Sequence, residues 1–210
     1  MFITLEGIEG SGKTTQIRYL VEYFQARGAQ WVTTREPGGT PIGAKIRAIL
    51  LDPESENLDP WAELLLYMAD RVQHLDELVK PALAEGKAVL CDRYFDATLA
   101  YQGYARGLDI EIINRLHQLL LGGLKPDITF LLDLSPRQGL ARAWRQLHNG
   151  TRTGAESRFE EETLAFHEKV RAGYLSLARL EPERIRVVDA SQDEKKVRDE
   201  ILTAVSLALR

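Results

Sequence analysis

Apolar and polar positions alternate along the chain in two rhythms, and the switching between them predicts strands exchanging with helices. Phe2-Ile3-Thr4-Leu5 is a short, nearly continuous apolar run, the pattern of a strand buried on both faces. Ile17, Leu20, Val21 and Phe24 then recur at helical spacing, with Gly28 placed as a C-terminal cap. Gln30–Thr34 predicts a second strand. It runs into Arg35-Glu36-Pro37-Gly38-Gly39-Thr40, which is too rich in Pro and Gly for regular structure. Ile46, Ile49 and Leu50 predict a short helix, and a Pro- and acid-rich link follows from Asp52 to Pro60. Leu64, Met68, Val72, Leu75 and Val79 predict one long helix from Trp61 to Glu85. Ala88 to Cys91 is again continuously apolar, and delivers Asp92-Arg93-Tyr94 at its carboxyl end.

The second half keeps the alternation. A partly irregular helical stretch covers Asp96 to Gly107, and a helix follows from about Asp109 to Leu121. Asp127 to Leu134 predicts a strand, and a helix begins near Pro136 until a polar stretch, Gln146 to Ser157, interrupts it. A helix is expected from about Phe159 to Leu180, then a last strand at Arg186–Val188, a loop at Asp189–Gln192 and a closing amphipathic helix. Strand–helix alternation of this kind predicts an α/β fold with a parallel sheet. Ligands in such folds sit beyond the carboxyl ends of the strands, so the loops after each strand are where chemistry is sought.

Composition adds bounds. At 210 residues, with no repeat or low-complexity linker, the chain is expected to be one domain with a lid segment. A formal net charge of −4 gives no global attraction for nucleic acid or an anionic membrane. Yet 19 Arg stand against 8 Lys, a bias toward the planar fork that grips phosphate with two bonds. Cys91 is alone and lies in an apolar run, which reads as a buried thiol in a reducing compartment. The first strand begins at once and no apolar run approaches membrane length, so a cytoplasmic protein is expected.

Gly7-Ile8-Glu9-Gly10-Ser11-Gly12-Lys13-Thr14 fits G-x-x-x-x-G-K-S/T, with a strand pattern before it and a helical one after. In that setting the glycines let the backbone wrap a phosphate chain and the helix N-terminus faces the anions. Lys13 supplies a cation, and the Thr14 hydroxyl can ligate magnesium. The competing reading is a Gly-rich turn without function. Transfer of a phosphoryl group onto another phosphate needs no general base; it needs several Arg to bring two polyanions together. Arg35, Arg47, Arg71, Arg93 and Arg106 fall near strand-end loops or the long helix, and Arg142, Arg145, Arg152 and Arg158 surround the polar segment at about 146–157. That segment reads as a lid that excludes water, or alternatively as a charged surface loop.

Phe2–Thr15, Thr34–Arg47, Tyr67–Arg71, Leu90–Gly107, the Arg-flanked lid and Asp189–Gln192 together resemble the thymidylate kinase family nearly end to end. The phosphate loop is shared widely, whereas its combination with REPGGT, DRY and AYQG is specific. The resemblance implies a P-loop nucleoside-monophosphate-kinase fold, a five-stranded parallel sheet flanked by helices, working as a homodimer. It implies transfer of the γ-phosphate of ATP to dTMP with Mg2+. ATP would be held by Gly7, Glu9, Gly10, Ser11, Gly12, Lys13, Thr14 and Thr15, with Ser191 and Gln192 at the adenine. Thr14 and Asp92 would hold the metal.

On the acceptor side the resemblance makes Arg93 the grip on the dTMP phosphate, with Arg47 a second contact. Tyr67 stacks on thymine, Arg71 donates to a thymine carbonyl, and Gln102 with Thr98 reads the base edge. Glu9 lies near the sugar 3′-hydroxyl, and Glu36 and Pro37 of the REPGGT segment border the substrate. The phosphate loop has no Arg between Gly7 and Gly12, a form that in the family goes with a catalytic Arg in the lid, here Arg145 or Arg158, beside Lys13 and Arg93. Ala97 replaces the commoner Ser after the DRY segment. By periodicity alone Tyr67 and Met68 would be core; His74, His117, His148 and His167 read as structural or surface residues, and Asp133 as structural. Two other readings are a kinase for a different nucleoside monophosphate and a GTP-hydrolysing switch, although the N-K-x-D segment of such switches is absent.

Overall fold

Five short strands, β1 Phe2–Glu6, β2 Trp31–Arg35, β3 Ala88–Asp92, β4 Ile128–Asp133 and β5 Ile185–Asp189, form one parallel sheet in the order β2-β3-β1-β4-β5. The computed structural model describes residues 1–149 and 157–209. β1, at the centre, is buried along its whole length, and β3 and β4 nearly so. This is why these strands read as continuous apolar runs. The registers Leu5↔Asp92, Arg35↔Asp92 and Asp133↔Asp189 bring the carboxyl ends of neighbouring strands level. Every strand therefore empties its following loop onto the same edge.

The helices cover both faces. α1 (Lys13–Ala26) follows β1, and α2 (Pro41–Leu51) follows β2, capped by Thr40, whose hydroxyl accepts from Gly43 N at 3.0 Å. α3 (Pro60–His74) passes through one π-turn, Leu75–Val79, into α4 (Lys80–Ala84). The single long helix expected here is interrupted because Pro81 has no N–H to return to the preceding turn, and a widened turn absorbs the mismatch. α5 (Phe95–Thr98) also runs into a π-turn, Leu99–Ala105, ahead of α6 (Ile110–Leu121). α7 (Pro136–His148), α8 (Leu164–Leu180) and α9 (Glu194–Ala208) complete the chain.

Two expected boundaries differ. α7 stays helical through His148, so Gln146 to His148 belong to the helix rather than to the lid; residues 150–156, including Arg152, lie outside the described residues. α8 begins at Leu164, capped by Thr163, rather than near Phe159. The backbone just before it is used for tertiary contacts: Arg158 N donates to Leu51 O at 3.3 Å, and Phe159 O pairs with His167 Nε2 at 2.8 Å. Those bonds hold 158–160 as a turn facing the sheet's carboxyl edge.

Candidate active site

At the end of β1 the chain turns through Gly7–Gly12 into α1. Gly12, at φ 100°, adopts a left-handed conformation that only glycine takes without strain, and it caps α1 with no side chain. The first-turn N–H groups of α1 are therefore open to an anion. Lys13 is buried and reaches back across the loop, donating from Nζ to Gly7 O at 3.1 Å and Ile8 O at 3.0 Å; Ser11 Oγ lies 3.5 Å away. Burial, and next the nearby Arg93, push its ammonium down to about 8, a penalty that a bound polyanion would reverse. A Cβ on Gly10 would lie 2.2 Å from Gly139 O, so the loop is pressed onto α7.

Thr14 Oγ1 donates to Asp92 Oδ2 at 3.4 Å, joining the loop to the end of β3. Among the described residues no group of three or more His, Cys, Asp or Glu could hold a metal. Magnesium does not need one: one carboxylate and a hydroxyl, with substrate phosphates and water, make its usual set of hard oxygens. A cleft of about 1240 Å³ opens here, lined by Gly10, Gly12, Lys13, Thr14, Thr15, Arg35 and Asp92, with Gln146 of α7. Ser191 and Gln192 lie apart from it, exposed after β5. Ser191 gives both N–H and hydroxyl to Asp189 Oδ1, at 2.9 and 2.6 Å, and Arg142 Nη1 donates to Ala190 O at 3.2 Å.

A second cleft, of about 570 Å³, is lined by Tyr67, Arg71, Ala97, Thr98, Tyr101, Gln102, Phe159 and Glu160. Arg71 is 1% exposed; its Nε donates to Glu36 Oε2 at 2.6 Å and its Nη2 to Tyr94 O at 3.1 Å. The other Glu36 oxygen pairs with His74 Nδ1 at 2.7 Å, and His74 Nε2 with Thr34 Oγ1 at 2.7 Å. Burial works against the charge on Glu36, but Arg71 and His74 outweigh it and hold the carboxyl below its ordinary range. Glu36 thus fixes Arg71 as well as lining the cleft itself. The close packing of this segment explains its glycines: a Cβ on Gly39 would meet His74 and Thr34 at 2.6 Å, and one on Gly43 would meet Asp70 Oδ1 at 2.3 Å. Pro37 follows a cis peptide bond and accepts from Arg47 Nη1 at 3.0 Å. Thr98 Oγ1 is buried beside the cleft, with no hydrogen-bond partner among the described residues.

Glu9, Glu36, Arg47 and Arg93 line both clefts and mark where they meet. Arg93 has φ 67°, a conformation costing about 1–3 kcal/mol that the surroundings must impose. Its N–H is tied to Leu5 O at 3.0 Å. The side chain donates from Nη1 to Gly7 O at 2.5 Å and from Nη2 to Glu9 Oε1 at 2.7 Å; Tyr101 OH donates to the same oxygen at 2.7 Å. His167 Nδ1 lies 3.3 Å from Glu9 Oε2. Burial raises the Glu9 carboxyl, yet Arg93, His167 and Lys13 together hold it well below the carboxylate range. Glu6, one strand residue before the loop, goes the other way. Burial, then repulsion from Asp96, push it up to about 8, against the opposing pull of Arg93.

Of the expected site residues, the structure brings Glu9, Gly10, Gly12, Lys13, Thr14, Thr15, Asp92, Glu36, Pro37, Arg47, Tyr67, Arg71, Arg93, Thr98 and Gln102 to two joined clefts, while Gly7 and Ser11 line neither. The two lid candidates separate. Arg158 is buried and engaged, donating from Nη1 to Leu50 O at 3.0 Å and pairing through Nη2 with Glu63 Oε2 at 2.7 Å. It does not line the phosphate cleft. Arg145 is exposed near the end of α7, next to Gln146, which does. Asp133 forms a two-bond pair with Arg171 at 2.7 and 2.8 Å, in keeping with a structural role. Tyr101, Glu63 and Glu160 are parts of the site with no place in the sequence reading, and His167, expected to be structural or surface, lies against Glu9. Only Glu63 carried a signal, since it lies one and two helical turns before Tyr67 and Arg71 on the same face.

The sequence profile of the family described as Thymidylate kinase matches residues 5–201. The thymidylate kinase of Desulfosudis oleivorans is 54% identical over 205 residues, covering 98% of this chain and 96% of its own. That of Syntrophotalea carbinolica is 55% identical over 209 residues, covering 99% and 96%. The crystal structure of thymidylate kinase from Ehrlichia chaffeensis superposes with a TM-score of 0.77 at 35% identity, covering 98% of both chains.

Proposed function

The chain belongs to the thymidylate kinase family and phosphorylates dTMP to dTDP in nucleotide biosynthesis; from that premise we propose that ATP with Mg2+ is the donor and that the two joined clefts divide the work. The observation that carries this division is the junction, where Arg47 and Arg93 face both clefts. The Gly7–Thr15 loop and the open N-terminus of α1 hold the triphosphate, and Lys13 unfolds from the loop carbonyls to follow its charge. Thr14 and Asp92 hold the metal, which when bound supplies charge neutralisation at the phosphates. Tyr67 packs on the thymine ring, while Arg71, Thr98 and Gln102 meet its edge. Arg93 grips the dTMP phosphate, with Arg47 beside it, and Glu9, between both substrates, faces the sugar. No general base is required, because the acceptor oxygen is already anionic.

The last positive charge we assign to Arg145, exposed on α7 beside the cleft-lining Gln146, as the cation that meets the transferring group. Arg158, catalytic in the sequence reading, is assigned instead to the base side through Glu63. Ser191 and Gln192 border the adenine, with backbone groups doing the binding, since the Ser191 hydroxyl is engaged by Asp189. The whole chain serves as one kinase domain. It works in the cytoplasm, where the buried Cys91 thiol stays reduced. A homodimer is supported by apolar side chains left exposed on three adjacent helices: Ile42 and Ile49 on α2, Leu65 and Val72 on α3, Ile112 and Leu119 on α6. No helix of the described residues is long and apolar enough to cross a membrane.

The deciding experiment is the rate of nucleotide-dependent ATP consumption with dTMP, dUMP, dCMP and dGMP. dTMP is expected to give the highest kcat/KM; dCMP or dGMP outrunning it would overturn the assignment of the second cleft to thymine.

A further inference from the structure

Glu63 lies in the first turn of α3, fully buried, and Arg106 reaches both of its oxygens, Nε to Oε1 at 3.4 Å and Nη2 to Oε2 at 3.5 Å. Oε1 accepts from Gln102 Nε2 at 2.8 Å; Oε2 pairs with Arg158 Nη2 at 2.7 Å. Arg106 is itself paired with Glu162. A carboxylate held by two guanidinium groups accepts hydrogen bonds and donates none. Gln102 can therefore present only its NH2 to Glu63, and its carbonyl is the group left for the cleft that it lines.

This orientation is chemical information. The polar edge of thymine offers a carbonyl acceptor, O4, next to a donor, N3–H; cytosine offers the opposite, an amino donor next to a bare N3 acceptor. Arg71 has Nε and Nη2 engaged by Glu36 and Tyr94 O; its Nη1 makes a weak 4.0 Å contact with Met68 Sδ, which takes one of the two Nη1 protons and leaves the other to donate. A donor from Arg71 beside an acceptor from Gln102 matches thymine and opposes cytosine at both positions.

We propose that Glu63 is a specificity-determining positioning residue, which fixes the Gln102 amide so that its carbonyl accepts the thymine N3–H. The inference rests on the reading that Gln102 meets the base edge. Arg106 and Arg158 keep the carboxylate an acceptor, so the turn at 157–160 contributes to base choice from behind the cleft. A neutral residue of the same shape would free the amide to turn over.

Glu63→Gln can donate to Gln102 Oε1 and permits that reversal. It is expected to lower the ratio of kcat/KM for dTMP over dCMP on the order of 10- to 100-fold, with dCMP rising in absolute terms. Equal losses on both substrates, with the ratio unmoved, would mean that Glu63 serves the fold alone and would overturn the proposal. Gln102→Leu separates the two layers. If it leaves the ratio intact, Gln102 does not read the base and the underlying reading fails. If it collapses the ratio while Glu63→Gln does not, only the inference fails. Should Glu63→Gln not fold, side-chain amide resonances of the unmutated, 15N-labelled protein decide. The Gln102 NH2 signal is expected to hold its position as dTMP saturates the site, because that group faces Glu63; a large movement on binding would show it turned to the base and overturn the proposal.

Discussion

The donor cleft and the acceptor cleft are built from different material. Around Gly7–Thr15 the binding groups are mostly backbone, set by glycine conformation and by the start of α1, and the one buried cation, Lys13, rests on loop carbonyls. Around Arg71 and Gln102 the binding groups are side chains, each held by a buried partner from a distant segment: Glu36 for Arg71, Glu63 for Gln102. A phosphate chain offers charge and many equivalent oxygens, so a mobile Lys and a ring of N–H groups serve it. A base offers a fixed pattern of donors and acceptors, and reading it requires side chains that cannot turn. The comparison makes a sharp forecast: damage on the donor side should slow the chemistry, and damage on the acceptor side should weaken dTMP and blur its identity.

The largest effect is expected at the junction, where the two kinds of construction meet. Arg93→Ala should lower turnover by roughly 10³-fold, while calorimetric ATP binding stays close to that of the parent. Unchanged kinetics would remove Arg93 from the acceptor phosphate. Arg93→Lys should recover only part of the loss, because a point charge cannot reproduce the fork that spans Gly7 O and Glu9. Next comes the donor side proper. Lys13→Met should cost on the order of 10²-fold in kcat with the KM for dTMP little changed. A rise confined to the dTMP KM would break the division between the clefts.

How much of this was legible in the chain follows the same division. The phosphate loop, its strand and its helix are contiguous in sequence, so their pattern alone announced them. Arg71, Tyr67 and Gln102 look like ordinary helix residues, and only the family resemblance drew them together. Glu36 and Glu63 could be placed near the site, but which side chain each one holds could not. Gln102 and Glu63 are 39 residues apart, Tyr101 and Glu9 are 92, and Tyr174 and Glu6 are 168. No local spacing encodes such pairs. For the same reason Arg158 reads as a lid residue in sequence and lies in the base-side network in the fold, and α8 starts later than its periodicity predicts because the Phe159 carbonyl is committed to His167.

On the acceptor side the forecast is a change of affinity. Arg71→Ala should raise the KM for dTMP by roughly 10- to 100-fold and reduce discrimination against dCMP, with a smaller change in kcat. It also leaves the buried Glu36 without its guanidinium, so a loss of about 3–5 kcal/mol is expected in urea unfolding. A variant that folded as stably as the parent would show that Arg71 and Glu36 are not coupled as their 2.6 Å contact implies. Untouched discrimination against dCMP would end its role in reading thymine.

The smallest and most diagnostic effect concerns two carboxylates on either side of Gly7. Glu9 is held below the usual range, so its contribution to stability is present above its unfolded value near 4.5 and is lost as the pH falls beneath it. Glu6 is pushed up to about 8, so the folded state binds a proton that the unfolded state releases between 4.5 and 8. Its contribution is complete at low pH and drains away as the pH rises through that window, with a slope approaching about 1.4 kcal/mol per pH unit where only this group titrates. Glu6→Gln, which keeps the shape and removes the titration, should therefore gain on the parent steadily from pH 5 to pH 8 in thermal unfolding. A flat difference over that range would place Glu6 in its charged form. Arg93 donates from Nη2 to Glu9, and a neutral Glu6 adds no second negative charge near that guanidinium. More of the Arg93 charge then remains for the dTMP phosphate, so a Glu6 that ionises above pH 8 should weaken dTMP there, and the Gln variant should not follow it.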